Sequence, residues 1–222
     1  MVYRRTERAE QARAATQARI LRAAGKLFAT QGYDATTMQQ IVAEAGTSIG
    51  NAYFYFRNKD ALMRALLESS FGAMFDAAEQ RVQRVPQGPE RVGALIAVNV
   101  TTFLVARREM LRLLVDDTRT GVVQRLGDMS VERWIRLLAD AFPDRPAEQL
   151  APIAAAIWGV NRSVVERVAL GALAMENRDA VMFLVTWTLR ALDVSPARIR
   201  RITGPAWRLA LRHAREQESQ GW

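Results

Sequence analysis

The stretch GTSIGNAYFYFRNK, from Gly46 to Lys59, concentrates residue types that can hold a nucleic acid. The amide of Asn51 can hydrogen-bond to base edges, and the tyrosine hydroxyls and the ammonium of Lys59 can reach phosphates. Gly50 lets the backbone approach a neighbouring surface closely, because it carries no side chain. This chemistry is binding by hydrogen bonds and charge, without bond making or breaking.

A helix over residues 49–56 would divide the aromatic run into two faces. Ala52 and Phe56 are four apart and would point to the core, while Tyr53 and Tyr55 would project around the other side. The alternative is that the phenylalanines of this run only fill a helical core. That arrangement would leave buried tyrosine hydroxyls in need of partners.

The elements that must position these side chains are helices. Apolar residues recur at spacings of three and four, strand signals are nearly absent, and short Pro/Gly clusters punctuate the chain, so we predict an all-α fold. Thr37 and Ser48 are candidate N-caps. The predicted helices cover about 16–29, 38–45, 49–55, 59–85, 90–106, 107–118, 122–142, 147–175, 178–192 and 196–217. Two short helices joined by AGTS, braced by the first helix, are typical of a helix-turn-helix.

Composition narrows the classes of chemistry. The 222 residues include no cysteine and one histidine, His213, which excludes disulfides, thiol nucleophiles and Cys/His zinc sites. The carboxylate pair Asp116-Asp117 is adjacent on a predicted helix, so its members diverge by about 100°. We therefore predict no enzymatic activity, no metal and no cofactor.

The charge of +8 favours an anionic partner, either nucleic acid or a membrane surface. The N-terminus MVYRRTERAEQ is charged where a signal peptide has an apolar core. The longest apolar run, Leu150 to Val160, is eleven residues, whereas a span takes about 20. We predict a cytoplasmic protein without a membrane span.

Two groups of arginines each allow two interpretations. The N-terminal group is either a frayed terminus or an arm that grips DNA, and it consists of Arg4, Arg5, Arg8 and Arg13. The C-terminal group is either a solvated helix face or a functional one, and it consists of Arg198, Arg200, Arg201, Arg208, Arg212 and Arg215.

Between Arg19 and Leu67, RILRAAGKLFATQGYDATTMQQIVAEAG followed by TSIGNAYFYFRNKDALMRALL resembles the TetR family of transcriptional repressors. The resemblance lies in the alanine-phenylalanine helix, the Gly-Tyr turn, the capping threonine, Tyr-x-x-Phe and Lys-x-x-Leu. It implies phosphate contacts by Thr37 and Tyr53, and it places Lys59 at the start of the fourth helix against the DNA backbone. Tyr55 is a further candidate DNA contact. The base-facing positions would be Gln39, Ser48, Ile49, Gly50 and Asn51.

Three positions depart from the usual family pattern. Thr47 stands where a buried valine is common and Ala52 where leucine is common, which predicts a looser small core. Ile49 replaces a common lysine and exchanges a phosphate contact for apolar contact with a thymine methyl group. The DNA sequence that the protein recognises therefore does not transfer from the family.

We predict two domains, a DNA-binding domain over 1–62 and a helical ligand-binding and dimerisation domain over 63–222. The resemblance implies a homodimer formed through helices near 147–175 and 178–192. It also implies a repressor that binds a palindromic operator in double-stranded DNA and is released by a small, mostly apolar effector. The alternative is a basic helical protein that binds lipid or a membrane surface without specific DNA recognition.

Methionine and tryptophan residues of the second domain are core by default, but their mixture with phenylalanine suits an adaptable ligand pocket. Arg162 is a candidate anchor for an acidic group on the ligand. The predicted pocket residues are Phe71, Met74, Phe75, Phe103, Met110, Trp134, Trp158, Asn161 and Arg162.

Overall fold

The computed structural model describes residues 2–106 and 121–220, with side chains described over 9–105 and 121–216. Within these residues the chain is helical and contains no strand, which confirms the all-α prediction. The predicted helix over 107–118, with Met110 and Asp116-Asp117, lies outside the described residues. The helices are α1 (Val2–Gln31), α2 (Met38–Ala45), α3 (Ile49–Tyr55), α4 (Lys59–Val82), α5 (Pro89–Thr101), a π-helical turn (Thr102–Ala106), α6 (Val122–Ala141), α7 (Ala147–Ala169), α8 (Asn177–Ala191) and α9 (Pro196–Gln220).

The first helix is longer than predicted. It begins at Val2 rather than near Thr16, because the added residues are mostly alanine, arginine, glutamine and glutamate, which have high helix propensity. The prediction relied on apolar periodicity, which this segment lacks. The helix ends at Gln31, just before Gly32, whose φ of 85° is left-handed.

Contacts divide the chain into two compact units, the first ending at Ser70 and the second beginning at Phe71, inside α4. In the first unit α1 packs on α2, and α2 packs on α3. The buried side chains include Ile20, Phe28, Ile41 and Ala52. Lys26 Nζ lies 2.6 Å from Glu44 Oε1 and links the exposed sides of α1 and α2.

The second unit is built around α5, which packs against α9, α8 and α6. Gly93 permits a close approach of α9, because a Cβ atom at this position would lie 2.6 Å from Ile202 Cγ2. Glu90 and Arg198 join α5 to α9 through two hydrogen bonds of 2.8 Å. The hydrogen bonding from Arg198 holds the pKa of Glu90 below its usual range. The other arginines of the C-terminal group, Arg200, Arg201, Arg208, Arg212 and Arg215, are exposed.

The helix predicted over 147–175 ends earlier, at Ala169. Gly171 adopts a left-handed φ of 72°, and the amides of Gly171 and Ala172 donate to the carbonyls of Val168 and Arg167. These bonds close the helix in the manner of a glycine C-cap. Residues 170–176 therefore form a connection, and α8 follows from Asn177.

Candidate DNA-binding surface and ligand cavity

Helix α3 begins at a side-chain cap. Ser48 has an extended backbone, and its Oγ accepts a hydrogen bond of 3.2 Å from the amide of Asn51. The cap satisfies one of the amides that a helix leaves without a partner at its first turn. Gly46, with φ 60° and ψ 47°, ends α2 just before it. The short turn between the two helices is thus specified by local interactions.

The orientation of α3 separates an inner and an outer face. Ala52 and Phe56 are buried, at 0% and 4% exposure, as the predicted core face requires. Ile49 and Tyr53 are exposed, at 38% and 50%. Ser48 and Gly50 are exposed as well, and Tyr55 is half-buried.

Phe54 is the exposed aromatic that the list of predicted DNA contacts omitted. Its side chain is 70% exposed, and its ring meets the ring of Tyr55 edge-on, with the centroids 5.2 Å apart. The spacing of Ala52 and Phe56 could have revealed it, because a residue midway between two core positions four apart points away from the core.

Asn51 is held by a hydrogen bond to the turn that precedes α3. Its Nδ2 donates to Thr47 Oγ1 over 2.8 Å. The threonine that replaces a customary valine therefore orients a predicted base-contacting side chain. This departure from the family pattern thus supplies a polar partner, and the looser core stays a prediction.

The start of α2 is a capping box. Thr37 Oγ1 accepts from the amide of Gln40, and Gln40 Oε1 accepts from the amide of Thr37 over 2.8 Å. Thr37 and its neighbour Gln39 are both exposed. The predicted phosphate-contacting and base-contacting residues thus lie at a helix N-terminus, where backbone amides and the helix dipole favour an anion.

Lys59 is the first residue of α4, and its ammonium has partners within the chain. Lys59 Nζ donates to the carbonyl oxygens of Tyr33 at 2.8 Å and Thr36 at 2.9 Å, and it lies 4.2 Å from the centroid of the Tyr33 ring. The Tyr33 hydroxyl donates to Asp60. Lys59 therefore ties the turn between α1 and α2 to α4, and its contact with DNA stays a prediction.

Most of the predicted pocket residues line a cavity in the second unit. The centre of a water-sized sphere can occupy about 80 Å³ inside it. A cavity that holds one water molecule needs about 10–15 Å³ on the same measure. Met74 is buried but is not part of the lining. The predicted residues that line the cavity are Phe71, Phe75, Phe103, Trp134, Trp158, Asn161 and Arg162.

The aromatic wall of the cavity is centred on Phe71. Its ring centroid lies 4.9 Å from that of Phe75, 5.9 Å from that of Phe103 and 5.8 Å from that of Trp158. The Trp158 contact is edge-to-face, at 85°. The contacts with Phe75 and Phe103 are tilted, at 43° and 44°, so the four rings form one contiguous aromatic wall.

Polar lining residues that the sequence did not indicate are Asn99 and Ser130. They are 6% and 1% exposed, and the side-chain nitrogen and oxygen of Asn99 and the hydroxyl of Ser130 have no hydrogen-bond partner among the described residues. Asn161 donates from Nδ2 to the Ile157 carbonyl over 2.7 Å, and its Oδ1 has no partner. Both missed residues lie within helices whose other buried residues are largely apolar. A polar residue on a buried helix face is the signal that could have found them.

Arg162, the predicted anchor for an acidic ligand group, already has a carboxylate partner. Its Nη1 lies 3.2 Å from Glu166 Oε2, one helical turn along α7, and both residues line the cavity. The carboxylate of Glu166 reduces the positive potential that would attract an acid. Arg162 thus lies where it was expected, and its role as an acid anchor stays a prediction.

Fold and surface together define a helix-turn-helix transcriptional regulator with a second, helical unit that carries a cavity. Residues 20–66 match the family model for bacterial regulatory proteins of the tetR family. The chain is similar to the HTH-type transcriptional regulator YfiR of Bacillus subtilis (strain 168), with 24% identity over 169 residues that cover 68% of this chain and 78% of YfiR. Residues 20–66 of this chain thus match the DNA-binding domain of tetR-family regulatory proteins, and YfiR extends the similarity into the second unit.

Solved structures share the fold along most of the chain. RolR in complex with the ligand resorcinol superposes with a TM-score of 0.64 at 18% identity, covering 87% of this chain and 95% of RolR. The SmeT–triclosan complex gives a TM-score of 0.60 at 22% identity, covering 80% of this chain and 91% of SmeT. At these identities the likeness shows the fold. No helix within the described ranges has the length and apolar character of a membrane span.

Proposed function

We propose that this TetR-family regulator is a homodimeric repressor that binds a palindromic operator and leaves it when a small, mostly apolar ligand enters the second unit. The observation that carries the DNA-binding part is the division of α3, which buries Ala52 and Phe56 and exposes Ile49, Tyr53 and Phe54. A helix that exposes large aromatic and aliphatic side chains next to capped helix N-termini is suited to contacts with a DNA groove and with phosphates.

The predicted DNA contacts divide the work of binding in this proposal. Thr37 and Tyr53 bind phosphates and set the register, and Gln39 and Asn51 read base edges. Ile49 and Phe54 supply apolar surface that can contact thymine methyl groups. Ser48, Gly50, Tyr55 and Lys59 complete the surface, with Lys59 acting through the turn that it holds.

Dimerisation is supported by apolar side chains exposed on and beside the two helices predicted to pair. Leu170 and Leu173, just beyond the end of α7, are 55% and 39% exposed, and Phe183 of α8 is 45% exposed. Burying such side chains against a second copy removes apolar area from water. A two-fold dimer would also double the number of bases read, because each half-site is contacted by one helix-turn-helix.

Ligand sensing is supported by the cavity and by the ligand complexes of similar folds, RolR with resorcinol and SmeT with triclosan. Phe71 and Phe75 line the cavity and belong to α4, the helix that begins at Lys59. A ligand that binds one position of α4 better than another shifts the protein toward the state with lower operator affinity. We infer regulation in the cytoplasm, without catalysis.

The experiment is fluorescence anisotropy of a labelled duplex from upstream of the protein's own gene against a scrambled duplex, at low and physiological salt. Gln39→Ala should weaken binding to the upstream duplex by about tenfold and leave the scrambled duplex unchanged. Gln149→Ala, at an exposed glutamine near the start of α7, is the matched control. Equally weak binding to both duplexes, lost equally with salt, would contradict specific recognition. Anionic vesicles that bind as well as DNA would favour the membrane-surface alternative.

A further inference from the structure

We infer that the ligand of this cavity is a neutral aromatic compound with a hydroxyl group, and that Asn99 and Ser130 recognise this hydroxyl. The inference rests on the proposed ligand-sensing function and specifies its chemistry. It starts from three polar side chains that line one cavity and have side-chain atoms without partners: Asn99, Ser130 and Asn161.

Unpartnered polar atoms are costly at this degree of burial. Asn99 is 6% exposed and Ser130 is 1% exposed, and leaving a buried donor or acceptor unsatisfied costs the desolvation of that group. These two residues, together with the unpartnered Oδ1 of half-buried Asn161, line one cavity, so an occupant of the cavity can supply the missing hydrogen bonds. Asn99 presents both a donor and an acceptor, and the Ser130 hydroxyl can act as either.

A hydroxyl group is the simplest complement to this set, because it donates one hydrogen bond and accepts others at a single atom. A hydrocarbon ring could not form a hydrogen bond with either residue. It would also displace any bound water, and it would not replace the hydrogen bonds that this water made. A bare carbonyl could accept from Asn99 Nδ2 or Ser130 but could not donate to Asn99 Oδ1 or Asn161 Oδ1. The ligand therefore needs a donor, and a hydroxyl supplies a donor and an acceptor at one atom.

The rest of the lining selects an aromatic ring. Phe71, Phe75, Phe103 and Trp158 form a continuous wall with centroid separations of 4.9 to 5.9 Å. Ring edges and faces on such a wall attract another ring in offset or edge-on geometry. The cavity, at about 80 Å³ for the centre of a water-sized sphere, has room for a small ring compound.

Charge on the ligand is disfavoured. Among the described residues that line the cavity, Arg162 and Glu166 carry charge, and they pair at 3.2 Å. A carboxylate ligand beside Arg162 would meet the negative charge of Glu166 and would lose its own hydration, since moving an ion out of water is costly without a partner. A neutral hydroxyl avoids both costs.

The test is isothermal titration calorimetry of the full chain, without DNA, using phenol, toluene and benzoate as ring compounds that differ in one substituent. We expect phenol to bind at least about tenfold more tightly than toluene, because it alone supplies hydrogen bonds to Asn99 and Ser130. Benzoate should bind more weakly than phenol. Toluene binding as tightly as phenol, or benzoate binding most tightly, would overturn the inference.

Variants assign the preference to the two residues. Ser130→Ala and Asn99→Leu should each reduce the ratio of phenol affinity to toluene affinity several-fold. Thr188→Val is the matched control, because Thr188 is also fully buried with an unpartnered hydroxyl but does not line the cavity. If both variants keep the wild-type ratio, the assignment is wrong. Ser130→Ala removes a single oxygen atom, so it remains informative if Asn99→Leu does not fold.

Failure of the inference and failure of the proposed function give different results. Phenol-selective binding without any change in operator affinity would contradict ligand-controlled repression and leave the inference standing. Release of the operator by benzoate, with no binding of phenol, would support ligand control and overturn the inference.

Discussion

Gly127 of α6 lies so close to the indole of Trp158 on α7 that a Cβ atom at Gly127 would stand 2.8 Å from Trp158 Nε1. Trp158 lines the cavity and meets Phe71 edge-on at 5.8 Å. The absent side chain of Gly127 therefore sets the position of one wall of the ligand cavity. Real Cβ atoms do not approach to such a distance, so any larger residue must displace the indole.

Gly127→Ala should move Trp158 and change ligand binding more than stability. We expect a shifted tryptophan emission, an altered phenol affinity and a loss of about 1–3 kcal/mol in the free energy of unfolding, the range for overpacking. Gly159→Ala is the control, since a Cβ atom there meets nothing within 4 Å. It should leave phenol affinity unchanged. Equal effects of the two variants on emission and affinity would contradict the role given to Gly127.

Gly93→Ala tests the contact between α5 and α9. The added methyl group would meet Ile202 Cγ2 at 2.6 Å, with Leu189 Cδ1 and Val185 Cγ1 both at 3.4 Å. In urea unfolding we expect a loss of about 1–3 kcal/mol. Gly72→Ala, on the open side of α4, should be neutral or stabilising. A stable Gly93→Ala protein would show that the two helices can separate at little cost.

Lys59→Met should lower stability even without DNA. The variant removes two hydrogen bonds from the charged ammonium to the carbonyls of Tyr33 and Thr36. A hydrogen bond to a charged group contributes about 1.5–3 kcal/mol to the free energy of unfolding. Arg57→Met, at an exposed cation two residues earlier, should leave the unfolding free energy nearly unchanged. If Lys59→Met weakened operator binding at full stability, Lys59 would act on DNA rather than through the turn.

Phe183→Glu should break the dimer, whereas Phe54→Glu should weaken DNA binding and leave the dimer intact. A charge at Phe183 should give a monomer in light scattering, because it would have to be desolvated in the proposed interface. Phe54→Glu should remain dimeric and lose operator affinity through repulsion of phosphates. A dimeric Phe183→Glu protein would place the interface elsewhere.

His213 should make stability depend on pH. It is buried at 4% exposure, and burial, reinforced by the charge of Arg81 and opposed by that of Glu216, lowers its pKa below 6.5. The unfolded chain therefore binds the proton first. The contribution of His213 to stability is fully present above pH 6.5 and falls as the pH drops from there toward the lowered pKa.

His213→Gln should remove this part of the pH dependence between pH 5 and 7 in urea unfolding. The chain has a single histidine, so one imidazole signal in an NMR titration reports its pKa directly. A midpoint at or above 6.5 would contradict the buried, neutral state.

The helix-turn-helix could be predicted from sequence because its specification is local. Thr37, Gly46 and Ser48 act on amides and carbonyls within four residues along the chain, and the spacing of Ala52 and Phe56 sets the buried face of α3. Interactions of such short range leave their signal in consecutive residues. The end of α7 was predicted wrongly, because the prediction followed an apolar run that continues past Gly171. In the structure the helix ends at Ala169, and Gly171 adopts a left-handed conformation.

By itself, then, the sequence determined the all-α class, the buried and exposed faces of α3 and most of the aromatic lining of the cavity. Only the tertiary structure decided that Asn99 and Ser130 line the same cavity and that His213 is buried. It also decided that Glu166 pairs with Arg162 and that Lys59 binds the turn at Tyr33. Burial, and with it most of these pairings, depends on how helices distant in the chain pack. A side chain on a helix is buried or paired only once another helix covers it, and that information is absent from the periodicity of either helix alone.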